Sequence, residues 1–269
     1  MAITTADGLV AAARQSVSYT KTNAATTVAA QWHTLLDRNG NPSAGSLAVG
    51  NTTTGVFVDD AVTGYPVLAA FTGGATGYLH SIAFASTVAC RLALKDRLWN
   101  AGSVSMTSLA TTTFSGQPSI LSRCPDGAGL ANEIWLEINA TVSATATTVN
   151  VGYTNSAGTA GRVTGATSSL SGFVTGRLIQ MPLQIGDTGV QKIESVTVGG
   201  TVASTGSFNV IIARPLWVGR VPIANGGDLH GPDRTSLVRV YETSAFWTMV
   251  AADSTSSGVP DLLMSVING

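Results

Sequence analysis

A mainly β fold, jelly-roll-like sandwich or barrel, with a short N-terminal helix or arm, is predicted by three observations. Short runs rich in Val, Ile, Thr and aromatics recur along the chain, broken by Gly, Asn, Asp and Pro. Turn dipeptides such as Asn39-Gly40 and Asp126-Gly127 fall between them. Apolar residues alternate with polar ones from about residue 17 onward, and the clearest helical pattern lies before that point.

The elements follow in order. Residues 4–16 read as a helix, with Thr4 and Asp7 at capping-box spacing and Leu9, Val10 and Ala13 on one face. Gly8 weakens it, and the polar stretch from Ser18 to Thr27 has little to bury by itself. Residues 1–50 are therefore expected to be an arm with a short helix, of which residues 1–20 reach across to another subunit or lie along a shell. Residues 51–269 are expected to be the β domain, with a possible subdivision near 100–130, where SLATTTFSGQPS is polar and rich in breakers. Val56-Phe57-Val58 is a short strand. From Tyr78 the alternation of Val88, Cys90, Leu92 and Leu94 favours strand through Leu94, then a turn or loop around Asp96 to Gly102; helix is the rival reading, since Leu94, Lys95 and Leu98 also fit a period near four. Ile134, Leu136 and Ile138 alternate with Trp135, Glu137 and Asn139, as in a half-buried strand. Val149, Val151 and Tyr153 share a face, and Asn155 to Gly158 turns the chain toward a strand near Gly161. Leu178 to Leu183 is a strand edge ending at Pro182. Ile193–Val198 and Phe208–Ile212 read as a hairpin across Gly199-Gly200. Strands at Leu237–Tyr241, Phe246–Val250 and Leu262–Ile267 finish the chain.

Composition narrows the function. Hydrophobic residues make up 44%, enough for a globular core, while charged residues make up only 11%, less than half the usual share of about 25%. A surface that becomes interface needs less charge than a freely dissolved one. The net charge of −1 and the absence of any Lys/Arg run argue against nucleic acid as partner. The first residues lack the basic start and apolar block of a signal peptide, and no segment has the apolar length of a membrane helix. Assembly in a cytoplasm, with no membrane partner, is the expectation.

Chemical signatures are weak. HExxH, G-x-S-x-G, Walker A and Rossmann patterns are absent, so no catalytic residue and no cofactor is expected. Cys90 and Cys124 stand alone, without metal-ligand spacing, and sequence does not decide whether they pair. Asp228, His230 and Asp233 in NGGDLHGPD could meet a metal, but a Gly/Pro loop uses Asp and Asn as turn formers. Asp37-Arg-Asn-Gly-Asn reads as a turn for the same reason. The five tryptophans, which could stack on sugars, do not cluster in sequence and read as core or interface anchors. The candidate functional residues are thus interface arginines: Arg14 in the N-terminal segment and Arg162 just past the turn at 155–161.

KDRLWNAG (95–102), EIWLEI (133–138), VGYTNSAGTAGR (151–162), MPLQIGDTGVQKIESVTV (181–198) and ARPLWV (213–218) together resemble a group of tailed-bacteriophage virion proteins, over roughly residues 78–220. The resemblance implies a virion component, capsid-associated (decoration or minor capsid) or of the tail. It brings no active site. The partners it implies are further copies of the chain and the major capsid protein; a glycan-binding or glycan-hydrolysing virion protein is the expectation from a different class.

Overall fold

The computed structural model describes residues 5–48, 50–71 and 77–268. Its strands are β1 (Ala13–Lys21), β2 (His33–Thr34), β3 (Gly40–Asn41), β4 (Val56–Phe57), β5 (Gly77–Ser86), β6 (Cys90–Ser105), β7 (Thr111–Thr113), β8 (Glu133–Ala140), β9 (Thr147–Asn155), β10 (Arg162–Val163), β11 (Leu178–Met181), β12 (Val190–Gly200), β13 (Ser207–Val221), β14 (Gly226–His230), β15 (Arg239–Val240), β16 (Phe246–Ala252) and β17 (Pro260–Asn268). The helices are α1 (Ala6–Ala11) and α2 (Pro232–Thr235). The fold is mainly β and antiparallel, as expected, in three sheets.

Two long strands organise it. β6 has 16 residues and β13 has 15, where about 5–6 is usual. They pair at the centre of a sheet ordered β11-β8-β13-β6-β16-β2. Alternation puts Leu92, Leu94, Asp96 and Leu98 of β6 on one face. At one end of that face Leu92 and Leu94 pack with Ile82, Phe84, Leu262, Met264 and Val17 from the sheet β14-β5-β17-β1-β3. At the other end Leu98, Leu136, Val210 and Ile212 pack with Val151, Tyr153, Ile193 and Val196 from the sheet β10-β9-β12-β7. The opposite face carries Ala93, Trp135, Ile211, Trp247 and Met249, covered by Leu36, Leu47, Val58 and Tyr65 of the segment before β5. Gly55 lets that segment approach: a Cβ there would stand 2.2 Å from the Trp99 ring.

Several expectations are corrected. The helix is shorter than 4–16: Thr5 caps it, accepting from Gly8 N at 3.0 Å, and it ends at Ala11. Thr4 lies outside the described residues. From Ala13 the chain is strand, because Val17 and Tyr19 alternate into the core and β1 pairs with β17 over its length. Of the segment expected as an arm, residues 13–48 therefore belong to the folded body, with Leu35 and Leu36 also buried. The loop expected at Asp96–Gly102 is the middle of β6, its charges buried in pairs rather than solvated. β8 is buried on both faces, since Trp135 and Glu137 are 2% and 0% exposed. β12 and β13 do not form a hairpin; β12 pairs with β9 and β7, β13 with β6 and β8. The Gly199-Gly200 stretch carries the chain from one sheet to another. Pro215 survives in a central strand because β8 stops pairing at Ala213 and a bulge follows Pro215.

Candidate functional site

The ionisable side chains are drawn inward. Asp96, at the boundary between the two cores on one face, is fully buried. It accepts from Arg123 and, at 3.0 Å, from Ala245 N on one oxygen; Arg214 at 3.2 Å and Ser244 at 2.9 Å hold the other. On the opposite face Arg97 meets Glu137 in a fork, at 3.2 and 2.8 Å. Asn209 donates to the same carboxylate at 2.9 Å. The guanidinium lies 5.0 Å from the Trp247 ring. Burial pushes the neighbouring Tyr65 phenol up to about 12. Lys95 reaches Glu133 at 2.8 Å, and Trp135 Nε1 donates to the same oxygen at 2.7 Å. Each carboxylate is closed by a cation and by N–H or O–H donors, which is what a buried charge requires. Such acids brace the strands that bring their partners together.

One open cleft, of about 490 Å³, is lined by Asn132, Glu133, Gln180, Met181 and Asp187 among others. Both of its acids are engaged. Glu133 holds Lys95 and Trp135. Asp187 accepts from Arg162 Nε at 2.9 Å, Tyr153 OH at 2.6 Å and Asn155 Nδ2 at 2.7 Å. The Arg162 hydrogen bond, then that of Tyr153, holds the Asp187 carboxyl down at about 2. Arg162, expected at an interface, therefore spends one face of its guanidinium inside its own chain, with its side chain 26% exposed. Val149, Val151 and Tyr153 point into the core as expected.

Arg14 is exposed on β1, its Nη2 3.5 Å from Leu9 O. The structure does not bring Arg14 and Arg162 together: one lies in the sheet of β1, the other in the sheet of β9. In the 225–233 stretch, β14 and α2 replace the expected loop. His230 turns inward, accepting from Trp217 Nε1 at 2.9 Å, and its other nitrogen stands 3.5 Å from Asp228. Among the described residues no three His, Cys, Asp or Glu side chains stand close enough to hold a metal ion. Cys90 and Cys124 are free and buried in different cores. Four of the five tryptophans, all but Trp32, are buried, so they act as core anchors.

The residues that sequence reasoning passed over are the buried ones: Asp96, Arg97, Arg123, Glu137, Asp187 and Arg214. A signal for most of them was present. KDRLWNAG, EIWLEI and ARPLWV carry the ionic braces, and VGYTNSAGTAGR with MPLQIGDTGV carries the Tyr153–Arg162–Asp187 cluster.

No protein-family model matches the chain, and no curated protein matches it. Among solved structures it is similar to the VP2 subviral particle of infectious bursal disease virus, at 11% identity over 95% of this chain and 79% of that one, with a TM-score of 0.19. A structure of T=1 particles derived from the same virus gives 10% identity, 95% and 76% coverage and a TM-score of 0.19. At these scores the likeness establishes no shared fold.

Proposed function

We propose that the chain is a non-enzymatic structural protein of a tailed-phage virion, a capsid-associated decoration or minor capsid protein that packs against its own copies and the major capsid protein. The observation that carries this reading is where the charge goes. A chain with only 11% charged residues commits Lys95, Asp96, Arg97, Arg123, Glu137 and Arg214 to its interior. Parts of its outer sheet faces carry hydroxyls and small side chains. On one sheet Thr111 and Thr197 bond side by side at 2.9 Å; on another Ser16, Ser18, Ser81, Ala83 and Ser265 line the outside. Covering such faces with protein costs little desolvation, whereas burying a charged face costs several kcal/mol per unpaired ion. The resemblance of the five motifs supplies the phage context.

The test is gel densitometry and mass spectrometry of purified particles. The chain should be present at a copy number comparable with that of the shell protein. A copy number far below that moves it to the tail, and absence from the particle overturns the reading. Purified protein should show no turnover of host-surface glycans.

A further inference from the structure

On β6, alternation places Arg91, Ala93, Lys95 and Arg97 on the face opposite Leu92 and Leu94. Lys95 and Arg97 reach over β13 to Glu133 and Glu137, at 2.8 Å each. Both acids come from β8, the strand that flanks β13 on its far side. β8 stops pairing with β13 at Glu133, opposite Ala213, while β13 runs on against β6 to Val221. Arg91 lies beside that unflanked stretch. Its register partner is Arg220, so two exposed arginines stand directly opposite each other, an arrangement that costs stability. Arg91 stands 5.2 Å from the Trp32 ring and donates to Ala30 O at 3.3 Å. Among the described residues neither guanidinium meets a carboxylate. Asp253, whose N bonds Ala89 O, follows β16 and so lies on the side of β6 away from Arg220. The edge beside Arg220 is open as well. Among the described residues, 216–221 make no backbone hydrogen bond except those to β6. Pro215 and Pro222 bound this stretch, which has the length of an ordinary strand, about 5–6 residues. Its outward side chains are Arg220 and Val218, the latter 56% exposed.

We infer that residues 216–221 take up an extended strand of a partner protein, in the lane that β8 leaves, with an acidic side chain opposite Arg220. The two rungs that β8 fills give the chemistry of that strand. At each of them a cation of β6 meets an acid two strands away. An acid in the same lane stands beside Arg220, with about 4.5–5.5 Å between Cβ atoms. It also lies across β13 from Arg91, as Glu133 lies across β13 from Lys95. The repulsive pair becomes a row in which both guanidiniums share a carboxylate, a charge-assisted contact stronger than a neutral one. The backbone supplies the rest. An added strand satisfies the N–H and C=O groups of an open edge whatever its sequence, and the side chains select among candidates. Val218, next on the same face, offers an apolar contact to the residue two positions along. The contact is defined by the sheet alone and does not require a virion.

Titration of the full chain with capped peptides, followed by amide NMR, tests this. The probes are a threonine–valine peptide with a central glutamate and the same peptide with a central lysine. The glutamate peptide at millimolar concentration should shift the amide signals of residues 216–221. The lysine peptide should bind about threefold to fivefold more weakly, the scale of one cross-strand charge pair. Arg220→Glu should invert that preference. Arg220 is exposed, so the variant should melt like the wild type. No shift along 216–221, shifts confined to another sheet edge, equal affinity for the two peptides, or a preference that survives Arg220→Glu overturns the inference. So does a single-stranded oligothymidylate that occupies Arg91 and Arg220 where the peptide does not. The copy number in purified particles is read separately, so the virion reading stands or falls apart from this edge.

Discussion

Asp96 sits where two hydrophobic cores meet on one face of the central sheet, between Leu94 and Leu98. Its carboxylate is the shared counter-charge of Arg123 and Arg214. Asp96→Asn keeps the shape and leaves two buried guanidiniums without an anion. Breaking a buried pair this way costs about 3–5 kcal/mol, a large part of a usual total stability of about 5–15 kcal/mol. Urea denaturation should show the loss as a lower midpoint; an unchanged midpoint would remove Asp96 from the centre of the network. Lys21 gives a prediction in pH. It is fully buried, bonded to Pro42 O at 2.8 Å, and burial lowers it from 10.5 to about 8. Its charged form is thus less favoured in the folded chain than in the unfolded one. The penalty is complete below about 8 and fades as pH rises toward 10.5. Burial raises Tyr19 well above its ordinary 10.0, which lowers stability once unfolded tyrosine ionises. Stability from Lys21 should therefore rise between about pH 8 and 10, and Lys21→Met should lack that slope in thermal melts. At Asp187 the sign is opposite. A carboxyl held at about 2 against 3.8 stabilises above 3.8, and the contribution is lost as pH falls toward 2. Arg162→Ala should move the Asp187 titration upward by NMR; an unmoved titration would mean that Arg162 does not hold it.

At the scale of elements, the β9–β12 pair is the wall of one core. Val151 is fully buried there, opposite Val196. Val151→Asp places an unpaired carboxylate in that wall, at a cost of several kcal/mol, and should leave the chain largely unfolded by circular dichroism. A folded Val151→Asp protein would contradict the strand's orientation. This strand was legible in sequence because its alternation is clean, with Val149, Val151 and Tyr153 apolar and a Gly/Asn turn behind them. β6 was legible only to Leu94. Beyond it, Asp96, Arg97 and Asn100 carry the signature of a loop, and a reading of one residue at a time cannot know that Arg123, Arg214 and Glu137 arrive from elsewhere to neutralise them. β8 reads as half-buried for the same reason: Glu137 announces water, and Arg97 cancels the announcement. The error at β12–β13 is topological. Both strands were expected, but neighbours in sequence pair only part of the time, and the length of β13 suits the sheet centre. In β1, the alternation of Val17 and Tyr19 was visible but short. For the candidate site, sequence pointed to exposed Arg14 and to Arg162, while the buried polar clusters needed partners from other elements, from 27 residues away for Arg123 and Asp96 to 118 for Arg214 and Asp96.

At the scale of the whole molecule, β6 and β13 belong to both cores at once. Leu92 and Leu98 are six residues apart on one strand and lie in different clusters. The outer sheets therefore cannot let go independently without exposing part of the same central strands. Leu262→Ala and Val196→Ala, one in each core, should each shift a single cooperative transition seen alike by fluorescence and circular dichroism. Two separated transitions would show that the cores unfold as independent domains. The same long pair has a mechanical consequence. β6 and β13 pair antiparallel from Cys90–Val221 to Ser105–Ser207, with register shifts at three places between, a beam of roughly 50 Å at 3.3 Å per residue. Force applied to opposite ends, at positions 90 and 207, loads the rungs together in shear. Force applied at 90 and 221 opens them one after another, like a zipper. A shell held by such subunits would be stiff along the beam and compliant across it, and single-molecule pulling with handles at those two pairs of positions should show the shear geometry yielding at the higher force.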